Sequence, residues 1–186
     1  MTDTSRTVSD LVTNLFQDGQ SSGAITPQDM RDFIETCQTK QGSIYMSSPA
    51  TTSISVAGTY VESAGTYTLS TSPAANEFDM NANGRLRYTG TPTINCGFWA
   101  SASLEMDSAA YNKELGIALY KNGSLVTGTK IVGFSPATTL NSVNLATMGY
   151  VSMSTNDYIS IWVANMDSVD NFTLRNAQLM GMSLVT

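Results

Sequence analysis

The sequence predicts a mainly β protein, a sandwich, jelly roll or barrel of short antiparallel strands, on three observations. It is 41% hydrophobic but only 13% charged, about half the usual charged share, and is rich in Thr, Ser, Gly, Ala and Asn. From Gly42 onward, short runs of alternating polarity are separated by Gly, Pro, Asn and Ser. The longest run, 94–106, sets Ile94, Cys96, Phe98, Ala100, Ala102, Leu104 and Met106 against Asn95, Gly97, Trp99, Ser101, Ser103 and Glu105. One face is therefore core and the other largely polar, as in an antiparallel sheet. The 186 residues suffice for one core that buries roughly 70% of the unfolded surface.

The elements follow in order. Residues 1–9 are polar. Residues 10–16 offer Leu11, Val12, Leu15 and Phe16, and read as a short helix or an extended arm before the turn-rich 17–23. Thr26 is a good helix cap, Pro27 suits the first helical position, and Asp29 can return the capping bond to Thr26. Met30, Phe33, Ile34 and Cys37 follow at helical spacing on one face. So short a helix is marginal alone, so its stripe must pack on its own domain, a sister chain or a larger assembly. Strands are predicted at 43–47, 52–56, 65–70, 85–89 and 94–106. Leu115, Ile117 and Leu119 then alternate into Lys121-Asn122-Gly123, a strong hairpin signal whose return strand is 124–132. Strands at 141–153, 157–165 and 172–185 complete the domain.

Two late strands break the alternation. Ile159, Ile161 and Val163 occupy one face while Tyr158, Trp162 and Ala164 occupy the other; Leu179 opposes Met180, Met182 and Leu184 in the same way. Both faces call for burial, which predicts a homo-oligomer whose interface includes Tyr158, Trp162 and Trp99. The alternative cover is a lid made by the N-terminal segment or long loops.

The net charge is −6 and Lys and Arg stand singly, so no basic stripe exists to neutralise phosphates and nucleic acid is excluded as a partner. No run of about 18 apolar residues exists, and residues 1–6 precede no apolar core. The expectation is no membrane span, no secretory signal and synthesis in a cytoplasm. Histidine is absent, which removes the Ser-His-Asp and Cys-His arrangements and most zinc sites. Cys37 and Cys96 read as buried small apolar side chains rather than a disulfide or a nucleophile. The chain is expected not to be an enzyme, with no catalytic residue, cofactor or metal ligand.

The remaining motifs carry structure more readily than chemistry. Residues 79–84 match the first half of a calcium loop, but position seven is Arg85 and position twelve is Gly90, which reads as an Asx-rich turn. Asp167, Asp170 and Asn171 form a second acidic cluster, read as a solvated loop. Asn122 and Asn171 begin formal glycosylation sequons, unused without secretion. Trp99, Tyr111 and Tyr120 are a candidate set for stacking on sugars.

Residues 25–34, Ile25-Thr26-Pro27-Gln28-Asp29-Met30-Arg31-Asp32-Phe33-Ile34, with 42–47 after them, resemble the N-terminal attachment segment of bacteriophage head-fibre, decoration and tail-fibre proteins. Residues 84–90, 118–123 and 156–165 resemble the trimeric jelly-roll knobs of the same group, which in turn resemble complement and tumour necrosis factor heads. The resemblance implies an antiparallel jelly-roll sandwich with a short N-terminal arm and helix, divided into an anchor at 1–42 and a knob at 43–186. It implies a virion protein assembled in the host cytoplasm, a capsid decoration, cement or head-fibre protein. Leu11, Leu15, Phe16, Met30, Phe33 and Ile34 would grip the major capsid protein or another virion protein. Trp99, Tyr158, Trp162, Met180 and Met182 would lie in a homotrimer interface. The alternative is a tail-fibre or receptor-binding module whose partner is a host surface glycan.

Overall fold

Alternation over 94–106 organises the molecule. In the computed structural model, which describes residues 25–72, 74–106, 112–135 and 142–184, Cys96, Phe98, Ala100, Ala102, Leu104 and Met106 are buried on one side of that strand. The chain order is helix α1 (Pro27–Cys37), then β1 (Gln41–Ser48), β2 (Ala50–Thr52), β3 (Val61–Glu62), β4 (Thr66–Leu69), β5 (Phe78–Ala82) and β6 (Arg85–Tyr88). The second half holds β7 (Ile94–Met106), β8 (Glu114–Lys121), β9 (Ser124–Leu125), β10 (Ile131–Phe134), β11 (Val143–Met153), β12 (Tyr158–Asn165) and β13 (Phe172–Ser183).

These strands make two antiparallel sheets. The first runs β11-β7-β13-β1-β4 with β2 beside β13, and the second β10-β8-β12-β6-β5 with β3 beside β12 and β9 beside β8. The first core strand thus lies against the last, and the chain crosses between sheets at β2–β3, β3–β4, β4–β5, β6–β7, β7–β8, β10–β11, β11–β12 and β12–β13. This is the rolled-up arrangement of a jelly-roll sandwich. Ile44, Phe98, Leu104 and Leu179 from the first sheet meet Leu86, Tyr88, Leu119 and Ile161 from the second in one continuous core.

Local chemistry explains the boundaries. Thr26 Oγ1 accepts from the Asp29 N–H at 3.2 Å and Asp29 Oδ2 accepts from the Thr26 N–H at 2.8 Å, so the reciprocal cap forms as the sequence predicts. Asn122 and Gly123 take φ of 50° and 78°, the left-handed pair that a two-residue hairpin needs.

Several expectations are corrected. The strand at 52–56 ends at Thr52, because the Ile54 N–H leaves the ladder to donate to Asn171 Oδ1 at 2.9 Å. The return strand at 124–132 divides into β9 and β10. Gly128 turns the chain at φ 82°, and the buried Thr129 hydroxyl accepts from the Leu119 N–H while donating to the Val126 carbonyl. Strand β5 occupies residues read as an Asx-rich turn, for Asp79 lies across from Arg87 and takes its guanidinium at 2.9 and 2.6 Å. Only Asn83 and Gly84 make the turn. Cys96 is buried, but Cys37 is exposed at the end of α1, where it was expected to be covered.

Candidate functional site

Strands β11, β7, β13 and β1 turn their second face to solvent, and the ladder register arranges it in rows. Tyr150, Gly97 and Met182 form one row; Met148, Trp99, Met180 and Ser43 the next; Ala146, Ser101, Gln178 and Tyr45 the third; Asn144, Ser103 and Asn176 the fourth. The first two rows are mainly apolar, ending in Gln41 and Ser43 on β1, and the last two are mainly polar, with Ala146 and Tyr45 among them. A methyl at Gly97 would stand 2.8 Å from the Trp99 ring, so this glycine lets the indole lie along the strand instead of standing clear of it. Met148, Tyr150 and Met180 are 49%, 60% and 42% exposed, although each has a large apolar surface to bury.

Short side chains beside large ones hollow the face. Two shallow concavities of about 280 and 230 Å³ lie on it, one over Ser101, Ser103, Asn144, Ala146 and Asn176, the other over Trp99, Ser101, Ala146, Gln178 and Met180. The six strands of this sheet contain two charged residues, Glu105 and Arg175, and these are paired at 2.6 and 2.8 Å. The guanidinium holds the Glu105 carboxyl below the usual carboxylate range. The four rows described above contain no charged residue.

The second sheet is the opposite case. Its outer surface carries Arg85 on Glu62, Arg87 on Asp79 and Lys121 on Asp157, each pair within 3 Å. Tyr158 lies under the Arg85 guanidinium, 4.6 Å from ring centre to carbon. Trp162 stacks on Tyr120 with 4.1 Å between centroids and donates its indole N–H to Ser160 Oγ at 3.0 Å. Tyr60, from the connection between β2 and β3, packs over Ala118 and Ala164 beside them. The second apolar side of β12 is therefore covered within the chain.

The five interface residues expected from the sequence are thus split. Trp99, Met180 and Met182 share the uncharged face of the first sheet, while Tyr158 and Trp162 lie on the outer side of the second, so no one flat contact holds all five. The sugar-stacking set is divided too: Trp99 and Tyr120 lie on opposite sheets, and Tyr111 falls outside the described residues. Tyr45, Met148 and Tyr150 were missed by the sequence reading, although strict alternation through 43–47 and 141–153 would have placed them beside Trp99. Of the residues expected to anchor the chain, Leu11, Leu15 and Phe16 lie outside the described residues. Met30, Phe33 and Ile34 form an exposed stripe on α1, whose buried residue is Asp32.

The acidic motifs are engaged structurally. Asp167 accepts from the Glu114 N–H at 2.7 Å, Asp170 from the Ser168 hydroxyl at 2.7 Å, and Asn83 from the Tyr67 N–H at 2.8 Å. Among the described residues no three His, Cys, Asp or Glu side chains are grouped to hold a metal ion, and no helix is long and apolar enough to cross a membrane.

No family model and no curated protein matches this sequence. Among solved structures, the chain is similar to murine APRIL at pH 5.0, with 10% identity over 78% of this chain and 100% of that one at a TM-score of 0.46. It is also similar to the Eiger TNF of S. frugiperda, with 9% identity over 78% of this chain and 92% of that one at a TM-score of 0.49. The jelly-roll assignment rests on strand order and register rather than on these likenesses.

Proposed function

We propose that this chain is a trimeric attachment protein of a bacteriophage particle, a capsid decoration, cement or head-fibre protein. Its jelly-roll knob associates with copies of itself and its N-terminal arm and helix grip the shell. The observation that carries the self-association is the uncharged face of Tyr150, Met148, Trp99, Met180 and Met182, with the depletion of charge and the enrichment in Met and aromatic residues that interface cores show.

A second patch argues for a ring rather than a twofold dimer. Val132 and Phe134, the latter 65% exposed, project from β10, the edge strand of the other sheet, where they cannot reach the Trp99 face of their own copy. A face that meets a neighbour's edge is a head-to-tail contact, and three is the smallest number of copies that closes one. The virion assignment draws on the resemblance of residues 25–34, 42–47, 84–90, 118–123 and 156–165. Three anchors held together convert weak single contacts into durable attachment.

Light scattering and sedimentation test both parts. The purified chain should have a mass of about 60 kDa, three times 19.9 kDa. Trp99→Glu should reduce it to one copy, whereas a wild-type monomer at micromolar concentration would overturn the reading. The trimer should sediment with undecorated phage heads, and deletion of residues 1–39 should abolish that while leaving a folded knob. Sedimentation with host cells or cell-wall polysaccharide instead would make the protein a receptor-binding module.

A further inference from the structure

Helix α1 is joined to the knob by two residues of chain after its cap, a connection that by itself would leave the helix free to swing. The junction contains a buried cation. Lys40 is 3% exposed, and its Nζ donates to the Glu35 carbonyl at 2.7 Å and to Glu35 Oε1 at 2.8 Å, both on the last turn of α1. On the other side it stands 3.6 Å from Glu77 Oε1, a carboxylate of the knob. Glu77 Oε2 in turn lies 3.2 Å from the hydroxyl of the fully buried Tyr88, whose proton it shares with the Pro92 carbonyl at 2.9 Å. One ammonium thus closes the carbonyl end of the helix, where positive charge is favoured, and bridges it to the knob.

We infer that Lys40 is a positioning residue that locks helix α1 at a fixed angle to the knob through Glu35 and Glu77. The backbone around it is built for that purpose. The Lys40 N–H donates to Ser183 Oγ at 2.9 Å and its carbonyl accepts from the Ser183 N–H at 2.8 Å, which fixes residue 40 against the end of β13. Asn76 exchanges backbone hydrogen bonds with Gln41 at 3.1 and 2.7 Å and donates its amide to the Thr39 carbonyl at 3.1 Å. Glu77 holds its carboxylate in place at φ 54°, a left-handed conformation in which glycine would be relaxed. Strain retained at a non-glycine residue points to a use for the side chain. A buried ammonium that loses one carboxylate costs more than the pair contributes, so the lock is held by both partners or by neither.

The inference does not depend on what α1 grips. Hydrogen–deuterium exchange on the full-length chain tests it. Lys40→Met keeps the unbranched stem but removes the ammonium, and should speed exchange at residues 30–38 by about tenfold while β7 and β12 exchange as in the wild type. Glu77→Gly should also speed helix exchange, although it relaxes the strained backbone. Unchanged helix exchange in Lys40→Met overturns the inference. So does equal loss of protection in α1, β7 and β12, because Lys40 would then serve only the stability of the knob. Should Lys40→Met not fold, Glu77→Gln decides the matter by the same two comparisons.

Discussion

Two tyrosines show how differently a buried hydroxyl can be treated. Tyr60 is buried, pressed against Gly116, and its hydroxyl finds no partner among the described residues, whereas the Tyr88 hydroxyl donates to the Pro92 carbonyl at 2.9 Å and approaches Glu77. An unsatisfied buried hydroxyl costs free energy that a hydrogen-bonded one does not. Tyr60→Phe is therefore expected to raise the unfolding free energy by about 1 kcal/mol in urea titration, and Tyr88→Phe to lower it by about 1–2 kcal/mol. The cysteines offer a comparable contrast. Burial pushes the Cys96 thiol up to about 12, while Cys37 is exposed on α1. At pH 8 an alkylating reagent should modify Cys37 alone in the native chain, and both thiols after unfolding. Neither contrast was legible beforehand, since Cys37 stood at a core-like spacing and nothing in the sequence placed Tyr60 over Gly116.

At the scale of elements, turns depend on side chains from outside them. The Asn122-Gly123 hairpin is tied to the start of β12, for Asn122 donates to Asp157 at 2.6 Å and accepts from the Tyr158 N–H at 2.9 Å. Burial pushes the Asp157 carboxyl up, but Lys121, the Ser154 N–H and the Asn122 amide outweigh it and hold the group below its ordinary range. A carboxyl whose folded value is depressed contributes stability above its unfolded value and loses it as pH falls through the folded one. Asp157→Asn should cost about 1–3 kcal/mol at pH 7, and the deficit should shrink below about pH 4 as the wild-type group protonates. Urea titrations at the two pH values check this. The hairpin itself was legible because Asn-Gly specifies left-handed backbone locally. Strand β5 was not, because Asp79, Asn81 and Asn83 carry turn chemistry, and the Arg87 that makes Asp79 a strand residue is supplied from across the ladder.

Across the whole molecule, the two outer surfaces differ in charge more than in hydrophobicity, and that decides what each can do. An uncharged contact is indifferent to ionic strength, whereas one made by the Arg85, Arg87 and Lys121 pairs would weaken as salt screens it. Self-association should accordingly be unchanged between about 0.05 and 0.5 M NaCl in sedimentation velocity. Dissociation at the higher salt would move the contact to the surface of the Arg85, Arg87 and Lys121 pairs. The helix adds an orientation to this picture. Because α1 meets the sandwich at Lys40, beside the end of β13, the helix leaves from the pole where the last strand finishes, and the connections beside Asn165 lie at the opposite pole.

The long strands, the helix with its cap, the hairpin and the surplus of apolar side chains over what one core can hold were all legible along the chain. All of these follow from spacing and composition within a few residues of each other. Which surplus residues face solvent depends instead on contacts between residues far apart in the chain. Trp162 and Trp99 look alike along the chain, yet one is covered by Tyr120 beside a residue brought from position 60, and the other lies on a sheet face over which no described element packs. Alternation tells a residue's side of its own strand, but only the order of strands tells which sides join into one surface.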